Sequence, residues 1–81
     1  MKRIVYRVQH KGRLAGWCVL MARTVLCAGY PTQREAVREA VSTARSDWII
    51  HGKPAQLVLH GRDGRVRWER TYGRDPRRTR G

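Results

Sequence analysis

Thr32-Gln33-Arg34-Glu35-Ala36-Val37-Arg38-Glu39-Ala40-Val41-Ser42-Thr43-Ala44-Arg45-Ser46-Asp47-Trp48-Ile49-Ile50-His51-Gly52 carries the one long helical pattern in the chain. Ala36, Val37, Ala40, Val41, Ala44 and Trp48 recur at helical spacing and make a single apolar stripe. The start has the form of a capping box: the Thr32 hydroxyl can accept from the N–H three residues on, and Glu35 can reach back. Gly52 suits the C-terminal cap, and Pro54 bars continuation. The stripe is made largely of Ala and Val, so the helix can approach a sheet closely.

On either side of this helix the pattern alternates instead. Ile4 to Gln9 reads as a strand, with Ile4, Tyr6 and Val8 on one face and Arg7 and Gln9 on the other. His10 to Arg13 is a turn, Trp17 to Met21 a second strand and Thr24 to Ala28 a third, stopped by Gly29-Tyr30-Pro31. After the helix, Gln56 to His60 and Arg65 to Tyr72 are strands joined by the tight turn Gly61-Arg62-Asp63-Gly64. The expected fold is α+β: an antiparallel sheet in the order β-β-β-α-β-β, with one long helix packed across one face. Residues 1–72 form one compact domain in this reading, and residues 73–81 a flexible basic tail.

Charge points to a class of partner. Eighteen Lys and Arg stand against six Asp and Glu in 81 residues, a formal charge of +12. Such a body attracts polyanions. Within the helix Arg34, Arg38 and Arg45 balance Glu35, Glu39 and Asp47, so the whole excess lies in strands, turns and tail. A helix read into a DNA groove is therefore not expected, because such helices carry basic contacts themselves. If nucleic acid binds, Arg7, Arg65 and Arg67 on the open sheet face and Arg74, Arg77 and Arg78 in the tail are the candidate contacts, with Trp68 able to stack if it faces outward. The alternative is that these arginines only solvate an open sheet and discourage edge pairing.

A second partner class comes from the second and third strands. Cys18, Leu20, Val25 and Cys27 share one side, and Trp17, Val19, Met21, Leu26 and Ala28 the other, so both faces are apolar while one helix covers only one. A homodimer through Trp17, Val19, Met21 and Leu26 is the resulting expectation, with cover by the Leu14 loop or the tail as the alternative. A hairpin centred on Ala22-Arg23 sets Cys18 opposite Cys27, either as a disulfide or as two thiols acting as small hydrophobes.

Chemistry is poorly supplied. His10, His51 and His60 are far apart and no Cys or carboxylate lies at ligand spacing from them, so no metal and no cofactor is expected. His60 is placed to bond backbone, and Asp63 to cap its own hairpin. The domain is too small for a sizeable pocket with convergent titratable groups, so no enzyme is expected. Met1-Lys2-Arg3 leads straight into a strand without an apolar leader, and no stretch is long enough to span a membrane, so a cytoplasmic protein is expected.

His60-Gly61-Arg62-Asp63-Gly64-Arg65-Val66, followed by Tyr72-Gly73-Arg74-Asp75-Pro76 and Gly81, resembles a family of small bacterial proteins, domain of unknown function 2188. Gly16-Trp17 before a hydrophobic strand and Thr32 with Glu35-Ala36 at the helix start are similar to it too. The resemblance spans nearly the whole chain and implies a compact αβ domain of bacterial or phage origin. It implies no activity and no catalytic residues. The chain departs from the family at Arg77-Arg78-Thr79-Arg80-Gly81, where relatives close with prolines and Lys-Gly.

Overall fold

A computed structural model describes residues 3–73. The elements run β1 (Ile4–His10), α1 (Gly12–Ala15), β2 (Trp17–Met21), β3 (Thr24–Tyr30), α2 (Gln33–His51), β4 (Ala55–His60) and β5 (Val66–Tyr72). Helix α2 begins as its sequence requires: the Thr32 Oγ1 accepts from the Glu35 N–H at 3.2 Å. It ends at Gly52, left-handed at φ 66°. The turn expected at His10 to Arg13 is instead occupied by the single helical turn α1.

The architecture is α+β, one sheet with one long helix across it, but the sheet is mixed rather than antiparallel. Its order is β3-β2-β1-β4-β5, and β1 pairs with β4 in parallel, Ile4 beside Ala55 and Val8 beside Leu59. The reason lies in the composition of the last two strands. β1, β2 and β3 form a meander, so β1 and β3 point the same way, and α2 returns the chain so that β4 points that way too. An antiparallel sheet would need β5 beside β1. Ala55-Gln56-Leu57-Val58-Leu59 is nearly all apolar and suits an interior position, whereas Arg67, Glu69 and Arg70 suit β5 to an edge. The interior therefore goes to β4, and its pairing with β1 has to be parallel.

The core lies between sheet and helix. Ala36, Ala40 and Ala44 are fully buried along α2 and meet Tyr6, Val8, Trp17, Val19, Leu57 and Leu59 from the sheet. Small residues on the helix leave room for the large ones on the strands to pack beneath it. The close fit extends to the chain's exit. Gly73 has φ 102°, and a Cβ there would lie 2.8 Å from the Trp48 ring.

The β2–β3 hairpin does turn at Ala22-Arg23, with Met21 opposite Thr24, and Ala22 is left-handed at φ 57°. A non-glycine residue there costs on the order of 1 kcal/mol. Beyond the turn the register slips. Leu20 faces Val25 but Val19 faces Cys27, leaving Leu26 as an extra residue. Cys18 is therefore not opposite Cys27, as the uninterrupted hairpin implied. Both are free thiols, and the buried Cys18 directs its Sγ to the Ala15 and Gly16 carbonyls, each at 3.7 Å.

Candidate functional site

Parallel pairing of β1 and β4 brings the ends of both strands, His10 and His60, to the same end of the sheet. The connections that follow are then neighbours. The first carries Lys11 and Arg13; the second, the β4–β5 hairpin, carries Arg62 and Arg65. All four are exposed. Arg67 joins them through a second bulge: Leu59 faces Trp68 but His60 faces Val66, so Arg67 is the extra residue. Its side chain passes over Gly61, where a Cβ would lie 2.9 Å from the Arg67 Nε. Helix α2 starts at this end too, Gln33 Nε2 donating to the His60 carbonyl at 3.3 Å.

Arg7 reaches the same end across the open face. Its Nη1 lies 3.0 Å from His60 Nε2, and His60 Nδ1 lies 2.9 Å from the Gly64 carbonyl oxygen. A guanidinium can only donate, so Nε2 accepts and Nδ1 carries the proton it donates to Gly64. His60, only 7 % exposed, thereby bridges the central strand and the hairpin with both ring nitrogens engaged. Asp63 shapes the hairpin by accepting from the Arg65 N–H at 3.0 Å. Its other oxygen is 3.9 Å from the Arg65 Nε, an exposed pair that contributes little.

Arg7, Arg65 and Arg67 are thus brought to one end, together with Lys11, Arg13 and Arg62, which sequence reasoning missed because they lie in connections. Arg74, Arg77 and Arg78, like the rest of the tail, lie outside the described residues. Trp68 does not face outward. It packs against the core, and Arg70 lies over its ring at 5.0 Å while donating to the Tyr72 hydroxyl at 3.4 Å. Tyr72 is at the far end of β5, opposite Ala55, and not with His60, Asp63 and Arg65.

The residues named for a dimer divide. Trp17 and Val19 lie in the protomer's own core beneath α2, because the alanine stripe needs large partners on that face. Met21 and Leu26 are exposed. The side left without a helix is that of Cys18, Leu20 and Val25, and there Cys18 and Leu20 are buried and Val25 exposed. Leu14 covers neither side, being fully exposed on α1.

Two tyrosines are held in their neutral form on the other side of the sheet. Burial and a 2.5 Å hydrogen bond donated to Asp47 raise the Tyr6 hydroxyl far above its ordinary range. A hydrogen bond with Cys27, with burial second, pushes Tyr30 up to about 12. Neither group exchanges a proton near neutrality. Among the described residues no three His, Cys, Asp or Glu gather as metal ligands, and no helix is long and apolar enough to cross a membrane.

Fold and site together define a small α+β domain whose helix is electrically balanced and which carries Arg7, Lys11, Arg13, Arg62, Arg65 and Arg67 toward one end of a mixed sheet. The chain belongs to the family described as an uncharacterized protein conserved in bacteria (DUF2188), whose model matches residues 6–72. No curated protein and no solved structure matches it.

Proposed function

We propose that the protein is a non-catalytic, cytoplasmic nucleic-acid-binding module that grips the phosphate backbone with the basic end of its sheet. The observation that supports this reading is that Lys11, Arg13, Arg62, Arg65 and Arg67, from separate segments, all fall at one end of the sheet, with Arg7 held to the β4–β5 hairpin through His60. Among the described residues Asp63 and Glu35 bring negative charge to this end, and Asp63 is engaged with the Arg65 N–H. Guanidinium groups on exposed turns suit phosphate contact without base readout, so affinity comes with little sequence preference. Leu14, fully exposed next to Arg13 on α1, offers an apolar surface to a sugar or an unstacked base.

The test is fluorescence anisotropy of labelled single- and double-stranded oligonucleotides across a salt series. Four phosphate contacts predict a loss of about 10²-fold in affinity between about 50 and 200 mM salt. Replacing Arg62, Arg65 and Arg67 together with Gln should flatten the log–log slope by about 2 to 3. Affinity indifferent to salt, or a slope unchanged in that variant, refutes the reading. The competing function is a protein-interaction or homodimerisation module without a nucleic-acid role, and the uncharged edge strand β3 favours it.

A further inference from the structure

The two edges of the sheet are guarded differently. β5 presents Arg67, Glu69 and Arg70, and charges along an edge deter pairing with another chain. β3 is also seven residues long, Thr-Val-Leu-Cys-Ala-Gly-Tyr, with no charged residue and no proline. It has β2 on one side and, among the described residues, no strand on the other. Val25 is 48 % and Leu26 43 % exposed on it.

We infer that β3 pairs antiparallel with β3 of a second copy, joining two five-stranded sheets into one. Charge selects this occupant. At +12, two copies repel each other over most of their surfaces, and β3 is the edge where they approach with no cation in the strand. Arg23, just before β3, falls at opposite ends of an antiparallel pair, so the two copies of it do not face each other. A strand meeting its own copy is also self-complementary: the same donors and acceptors lie on both sides of a two-fold axis. Val25 and Leu26 then meet an equally apolar strand. An acidic partner or a nucleic acid would find no cation on β3 to engage.

The two-fold axis runs perpendicular to the sheet. Both long helices therefore lie on one side, and the two basic ends point in opposite directions along the strands. Leu26 as an extra residue and the irregular pairing beside Cys18 shorten the regular stretch. A single strand pair also buries far less than the ~1,200 Å² at the lower end of standard interfaces. The dimer is accordingly weak, with a Kd on the order of 10–100 µM.

Sedimentation equilibrium in high salt, on protein freed of nucleic acid, tests it from micromolar to near-millimolar loading. The mass should climb from one chain toward two. Leu26→Lys and Val25→Lys should each raise the Kd at least tenfold with an unchanged circular dichroism spectrum, while Thr71→Lys on β5 leaves it unaltered. Hydrogen exchange on the unmodified chain gives a readout free of any folding defect: β3 amides should slow as concentration rises, and β5 amides should not. A single-chain mass throughout, association that survives both lysine variants, or protection appearing at β5 instead overturns the inference.

Discussion

The side of the sheet under α2 and the side without a helix bury their residues by different means. Under the helix, shape governs: Ala36, Ala40 and Ala44, each fully buried, admit the large side chains of Tyr6, Trp17 and Leu57. On the other side, long polar side chains span the strands. Arg7 reaches His60, Arg3 Nη1 lies 3.5 Å from Gln56 Oε1, and Gln56 in turn donates to Glu69. Beside these, Leu20 and Val58 stay nearly buried. The contrast shows how a thin domain closes two faces with one helix: packing supplies one cover, and the stems of polar side chains supply part of the other.

The sharpest way to break this contrast is to enlarge the helix. Ala40→Leu should cost about 2–3 kcal/mol in urea denaturation, because no neighbour can retreat. If the cost stays below about 0.5 kcal/mol, the range of a neutral surface change, the fit under α2 is looser than described. On the open side His60→Ala should cost about 2 kcal/mol, since it strands the Arg7 and Gly64 partners and leaves a void. Combining it with Arg7→Ala should add much less than Arg7→Ala alone does in the natural background, a coupling that a double-mutant cycle measures.

Alkali tests the covered side alone. Tyr6 and Tyr30 ionise in the unfolded chain near their ordinary value of 10.0 and later in the fold. Between pH 10.0 and about 12 the native state therefore holds more protons than the unfolded state. Stability is full below that window and falls as pH rises through it. Tyr6→Phe should reduce the slope, and a slope equal to that of the natural chain would mean that the Tyr6–Asp47 bond does not hold. The smallest effect is expected on the open side. Gln56→Val, which deletes an exposed polar link on a strand, should shift stability by less than about 0.5 kcal/mol.

Much of the fold was legible because it rests on local chemistry. The cap at Thr32, the stop at Gly52 and the alternation of Ile4, Tyr6 and Val8 each act within a few residues. What escaped was relational. The parallel pairing follows from comparing β4 with β5, an apolar run against a charged one, and neither strand alone carries that signal. The slips at Leu26 and Arg67 had no such signal, because a bulge is chosen by packing across strands. The first separated Cys18 from Cys27; the second turned Val66 away from the helix side and carried Arg67 toward the basic end. Arg7, Arg65 and Arg67 could be singled out from strand alternation. Lys11, Arg13 and Arg62 could not, because their proximity depends on which strands run side by side.

The central position of β1 has a consequence for synthesis. β1 is made first, yet its second neighbour, β4, begins at Ala55. A chain emerging from the ribosome can close the β1–β2–β3 meander early, but one flank of β1 waits until α2 has been made and traversed. For that interval Tyr6, Val8 and the free backbone of β1 are open to any other nascent strand. A fragment ending before Ala55 never closes that flank and should clump, which ties completion of the sheet to the synthesis of β4.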